Sequence, residues 1–151
     1  RVCQREKREE RREKREEIEK MSLAKLQNTT IMSSELSHAR LKHLASKIGV
    51  TEDIISRLAL GVSIREGKIP NDWQPKKKEK ENLQPVLTGK SLRGKTLFKN
   101  ELPLWMMLLS NAEGKLETID EARSKFILHW ERGIELISNH DDESDWIHFS
   151  E

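Results

Sequence analysis

The sequence predicts an all-α fold: a compact helical domain of about four main helices, with a long, basic, irregular connector between the second and the third. Three observations predict it. Apolar residues recur at three- and four-residue spacing in four segments. Each segment is bracketed by a capping residue at its start and by glycine or a change of composition at its end. No alternating run reaches the length of a core strand, so no sheet is expected to organise the fold.

Residues 1–20, RVCQREKREERREKREEIEK, carry nine bases and seven acids with almost nothing apolar. Glu10/Lys14 and Glu16/Lys20 are spaced to support a solvated helix, each pair contributing about 0.2–0.5 kcal/mol. The segment has no apolar face to bury, and the composition changes at Met21. It is expected to be a charged solvated helix, a non-native extension, or a piece of a longer helix, with the domain proper over residues 21–139. Residues 28–33, NTTIMS, form a short β-branched run that reads as a strand or an extended lead-in.

Ser33 and Ser34 are hydroxyl caps for a first main helix running to about Lys47, with Leu36, Leu41, Leu44, Ala45 and Ile48 on its inner side and Gly49 as its stop. Thr51 caps the second, whose first turn carries Glu52 and Asp53, the charge sign that a helix N-terminus favours. Ile54, Ile55, Leu58, Ala59 and Val62 give its apolar spacing, and Gly67 and Pro70 close it, making a helical hairpin with a three-residue turn. Residues 68–100 hold three prolines, two glycines and the run KKKEK without a sustained period, the mark of a functional or disordered loop. Asn100 is placed to cap a third helix, with Pro103 in its first turn, a run Leu104–Leu109 of large apolar side chains, and Gly114 at its end. The fourth opens on the capping box Thr118-Ile-Asp-Glu121 and keeps Ile119, Ala122, Phe126, Trp130, Ile134 and Ile137 on one face. Residues 140–151 read as an acidic tail in which Trp146, Ile147 and Phe149 could still dock.

Charge is unevenly distributed behind a net +2. Lys68 to Lys99 holds nine bases against three acids, whereas the chain from Asn100 onward holds twelve acids against four bases. The longest uncharged stretch, Leu102 to Ala112, is 11 residues, too short to cross a bilayer. A single cysteine, Cys3, excludes an internal disulfide, and no Cys/His group has zinc spacing. These features predict a soluble cytoplasmic protein with no membrane span, metal or cofactor.

Gly89 to Thr96, GKSLRGKT, has the spacing of a phosphate-cradling P-loop. Its context is wrong. Only Val86-Leu87, after Pro85, stands where the buried strand should be, and Pro103 interrupts the helix such a loop requires. From Asn82 to Asn100 there is no acid, while Lys90, Arg93, Lys95 and Lys99 lie among glycines and hydroxyls. Bases, hydroxyls and a close-approaching backbone suit the phosphates of a DNA strand, and Lys76, Lys77 and Lys78 extend the positive run. A merely solvated linker is the plainer alternative.

Leu41 to Ile64, LKHLASKIGVTEDIISRLALGVSI, and Leu87 to Ser110, LTGKSLRGKTLFKNELPLWMMLLS, together resemble the DndE family of DNA sulfur modification (phosphorothioation) proteins. The Gly-x-x-Leu-Arg-Gly-Lys-Thr-Leu-Phe run is the more specific part, and His129 to Ile137, HWERGIELI, fits the closing helix. The turn reads Ile48-Gly49 and Glu52-Asp53 where the family pattern has Thr-Gly and Pro-Asn. The resemblance covers about residues 28–138. It implies a small non-catalytic DNA-binding component that self-associates, favours nicked duplex, and works beside a desulfurase and sulfur-transfer proteins.

The absence of enzymatic activity is also expected from the residues. His38, His43, His129, His140 and His148 have no cysteine or serine partner at a recognisable catalytic spacing, and His129 beside Trp130 reads as a packing or capping histidine. Two other functions remain open: a ribbon-helix-helix regulator reading bases with residues 28–32, and a protein-interaction adaptor docking through Trp105, Met106 and Met107.

Overall fold

The computed structural model describes residues 2–143. Six helices and one small sheet follow in the order α1 (Val2–Asn28), β1 (Thr30–Met32), α2 (Glu35–Ile48), α3 (Glu52–Arg65), β2 (Ser91–Arg93), α4 (Gly94–Phe98), α5 (Leu102–Glu113) and α6 (Ile119–Glu143). The all-α expectation holds in its main lines. The charged N-terminal helix and a strand within residues 28–33 are present, each one of the alternatives expected there; the continuation of α1 to Asn28, the short α4 and the partner strand β2 were not expected.

The caps of the central hairpin are the expected ones. Ser34 Oγ accepts from the Ser37 N–H to start α2, and Gly49, at φ 81°, ends it with its N–H donating to Ala45 O. Thr51 Oγ1 accepts from Ile54 N–H to start α3. At α5 the sequence expectation is corrected: the capping position is Glu101, with no side-chain cap bond, and Asn100 lies outside. Pro103 already contributes no N–H in that first turn, which lowers the demand for a cap. The box at α6 is also displaced. Glu121 N–H donates to Thr118 Oγ1, and Glu121 Oε2 accepts from the Glu117 N–H, one residue earlier than in the usual reciprocal pair.

The core forms where α3 crosses α6. A Cβ built on Gly133 would lie 1.7 Å from Ala59 O, so only glycine lets the two backbones approach this closely. Trp130 and Phe126 are fully buried around the crossing, and the Phe126 ring meets Phe98 of α4 at 4.7 Å between centroids, in a tilted pair. Leu26, near the end of α1, and Ile31 and Leu92, one from each strand, belong to the same core. α1 therefore has two parts. Its C-terminal turns are built into the domain, while the charged residues 3–18 are exposed along a helix whose full 27 residues span about 40 Å.

α6 runs through Glu143, past Asn139. Asp141 is buried there, its carboxylate 2.7 Å from Lys47 Nζ and 3.7 Å from His43 Nε2 of α2, which explains why the helix persists into acidic sequence. The docking expected of Trp146, Ile147 and Phe149 falls outside the described residues. No helix is long and apolar enough to cross a membrane among the described residues.

Candidate nucleic-acid interface

The GKSLRGKT segment is organised by β1. The register is Thr30 opposite Arg93, Ile31 opposite Leu92 and Met32 opposite Ser91. Because side chains alternate along a strand, Ile31 and Leu92 enter the core while Thr30, Met32, Ser91 and Arg93 stay outside. Backbone bonds extend the pairing at both ends: Ser33 N–H to Lys90 O and Gly94 N–H to Thr29 O, each 2.9 Å. The two glycines of the motif stand at these ends. A Cβ on Gly89 would lie 1.8 Å from Ser33 O, and one on Gly94 would lie 2.3 Å from Leu26 O. Their four-residue separation is thus the length of a short strand between two close backbone crossings. A P-loop would need those four residues to be a loop between a strand and a long helix, whereas three of them are the strand and α4 has 5 residues.

The predicted bases divide by environment. Arg93 on β2, Lys95 on α4 and Lys99 just after it are exposed and make no ion pair among the described residues. Lys99 has φ 52° and ψ −130°, a conformation that favours glycine. Arg57 of α3 fixes this corner by donating from Nη1 to Thr96 O at 3.1 Å. Lys90 differs: its ammonium is half-buried, 3.8 Å from Glu52 Oε1, and Glu52 also lies 3.5 Å from His38 Nε2. Glu52, in the first turn of α3, therefore has a cationic partner within the chain. Lys76, Lys77 and Lys78 belong to another neighbourhood. Lys77 lines a hollow with Glu35, Leu36 and Ala39 of α2, and the Lys78 N–H donates to Glu81.

A buried polar line also crosses the domain. Ser63 Oγ lies 2.8 Å from His129 Nδ1, and His129 Nε2 lies 3.0 Å from Glu113 Oε2, so the fold supplies the serine partner that sequence spacing did not reveal. Burial holds the His129 pKa below its ordinary value, assisted by the charges of Arg132 and Lys125 and opposed by Glu113. Burial alone would raise Glu113, but hydrogen bonds from the Ile69 N–H, His129 and Lys125 outweigh it and keep the carboxyl ionised. A neutral histidine protonated on Nε2 satisfies every contact: it donates to Glu113 and accepts from Ser63. Arg132 Nε donates to the same Ser63 oxygen at 2.8 Å. His129 and the Glu113 side chain are 0% and 1% exposed. The line ties α3, α5, α6 and the start of the connector together.

A family model described as DNA sulphur modification protein DndE matches residues 30–145. The chain belongs to the DndE family. Its matched region begins at β1, so the exposed arm of α1 lies outside it. Among solved structures, one described as DndE from Escherichia coli B7A involved in DNA phosphorothioation modification is similar, with 20% identity and a TM-score of 0.49, covering 72% of this chain and 94% of that one. No curated protein matches the chain.

Within this DndE-family chain, the basic connector is held by residues that sequence reasoning missed. Arg40, 1% exposed, ion-pairs through Nε with Glu81 Oε1 at 2.7 Å and also donates to Lys76 O. Burial would raise the Glu81 pKa, yet Arg40 lowers it by hydrogen bond and charge. The signal was available, since Arg40 lies three residues after Ser37 and four before Leu44, on the buried side of α2. A buried arginine requires an acid, and Glu81 is one of three in the basic connector. His38 Nδ1, 2.7 Å from Thr88 O, adds a second anchor just before Gly89.

Proposed function

We propose that this protein is a non-catalytic, DNA-binding component of a DNA phosphorothioate modification system. Arg93, Lys95 and Lys99 grip duplex backbone phosphates, with Lys76, Lys77 and Lys78 adding longer-range attraction and Lys90 engaged by Glu52. The reading rests above all on these three exposed bases, which carry no carboxylate partner among the described residues: Arg93 projects from the strand between the two close backbone crossings, and Lys95 and Lys99 follow on α4 and just after it. Such a site positions a phosphate strand without reading bases. A preference for nicked over intact duplex, which the family resemblance implies, is part of this proposal. The protein acts in the cytoplasm as a homo-oligomer beside the other proteins of the system. Sealing of the Ser63–His129–Glu113 line supports a purely binding role, since a substrate has no access to it.

The ribbon-helix-helix alternative is disfavoured by β1, one edge of which is already paired with β2, while Thr30 O accepts from Arg123 Nη2 at 2.9 Å. The adaptor alternative retains Met107, 68% exposed, but Trp105 and Met106 pack against the core. Titrating the protein against intact duplex, nicked duplex and single strand, with ATP as a control ligand, tests the proposal. Preference for nicked duplex without ATP binding is expected; absence of duplex binding at low salt overturns it.

A further inference from the structure

The exposed arm of α1 carries a pattern that a merely soluble helix does not need. At about 100° per residue, Arg5, Lys7, Arg8, Arg11, Arg12, Lys14 and Arg15 all fall on one half of the helix circumference. Glu6, Glu9, Glu10, Glu13, Glu16 and Glu17 all fall on the other. The Glu10–Lys14 and Arg12–Glu16 pairs, at 3.5 and 3.7 Å, lie along the two seams. Within each face, like charges stand four residues apart: Lys7 and Arg11, Arg8 and Arg12, Arg11 and Arg15, Glu6 and Glu10, Glu9 and Glu13, Glu13 and Glu17. Every such pair destabilises an isolated helix, and interleaving the signs would avoid it. Segregation therefore works against the helix and in favour of something that meets one face.

From residue 5 to residue 17 there is no apolar side chain. That excludes a coiled-coil seam and a membrane-surface helix, both of which need an apolar stripe. We infer that the basic face of residues 5–15 is a second duplex-binding surface, which lies along the phosphates while the acidic face points to solvent. The inference rests on the proposed DNA-binding function for the identity of the polyanion. α1 is anchored by its last turn, where Leu26 and Gln27 press on Gly94 at the start of α4, next in the chain to Arg93 and Lys95, so residues 15 to 5 stand about 16–32 Å along the helix axis from that contact. The basic face spans about 15 Å, or four to five base pairs, and would lengthen the footprint beyond the domain.

The test is salt-dependent binding of the 151-residue chain to duplex DNA, with three variants. Replacing Arg8, Arg11, Arg12 and Arg15 by Gln keeps a good helix former at each position, and circular dichroism checks that helicity is retained. The expected result is a plot of log affinity against log salt that is flatter by about three to four, near 0.9 for each lost contact. A second variant exchanges charges in place (Arg8→Glu with Glu9→Arg, Arg12→Glu with Glu13→Arg, Arg15→Glu with Glu16→Arg). It keeps composition and net charge, and is expected to lose binding as the first does. The third replaces Arg93, Lys95 and Lys99 by Gln.

Wild-type affinity and slope in both arm variants, with a loss in the loop variant, overturn the arm surface and leave the loop site standing. Loss in the arm variants alone leaves the arm and removes the loop. Wild-type binding by the charge-exchange variant alone reduces the arm to a net-charge effect and overturns the face. Loss of self-association in the arm variants, with DNA binding unchanged, assigns the face to another protein chain and overturns the inference.

Discussion

Replacing Gly94 by Ala puts a methyl group where the backbone of α1 already is. The new Cβ would stand 2.3 Å from Leu26 O and 2.9 Å from Gln27 Cα, against backbone atoms that no rotamer change can move aside. Relief requires α4 and the end of α1 to separate by about an ångström or more, to reach an ordinary carbon contact. That separation strains the Gly94 N–H bond to Thr29 O at the end of the strand pair. Overpacking costs about 1–3 kcal/mol and a lost buried hydrogen bond about another 1, so Gly94→Ala should destabilise by about 2–4 kcal/mol. Urea unfolding followed by circular dichroism reads this as a lower midpoint at constant slope. A variant within about 0.5 kcal/mol of wild type, the ordinary range for a surface change, would show that the glycine is not held against α1 and refute the account of the motif.

Other expectations follow from the same geometry. Gly61→Ala meets only Trp105 Cη2, at 3.8 Å, and should stabilise α3 by up to about 1 kcal/mol in the same assay. Lys99→Gly relieves the positive φ and should raise stability by about 1 kcal/mol while weakening duplex binding, so the two measurements move in opposite directions. His129, its folded pKa lowered by burial, binds fewer protons in the folded than in the unfolded state. Its contribution is complete above about pH 6.5 and is lost as pH falls below that; Glu113 and Glu81, also lowered, extend the loss below about pH 4.5. His129→Gln should flatten the upper part of a stability–pH curve measured by thermal unfolding.

Local rules were sufficient where the chain decides its own conformation. Ser34, Gly49 and Thr51 cap α2 and α3 as their chemistry predicts, and the spacing of Ala122, Phe126, Trp130 and Ile134 identified the buried face of α6. The strand pair escaped because each strand has three residues and the pairing joins positions 57 apart in sequence, as at Ser33 and Lys90. Gly89 and Gly94 marked that pairing, but in one dimension a close backbone crossing and a phosphate cradle share the same letters. The Ser63, His129 and Glu113 line was unreadable for a related reason, since its members come from three helices. Arg93, Lys95 and Lys99 stand out in the sequence as candidates through the absence of nearby acids; that Lys90 is engaged by Glu52 emerged only once α3 was folded against them.

The central claim is that three bases presented by β2 and α4 hold a DNA backbone. Substituting Arg93, Lys95 and Lys99 together by Gln leaves the core untouched, so affinity for nicked duplex across a salt series tests it most directly. The account predicts a folded protein whose log affinity falls less steeply with log salt, by about three slope units for three lost phosphate contacts. An unchanged affinity and slope would contradict it.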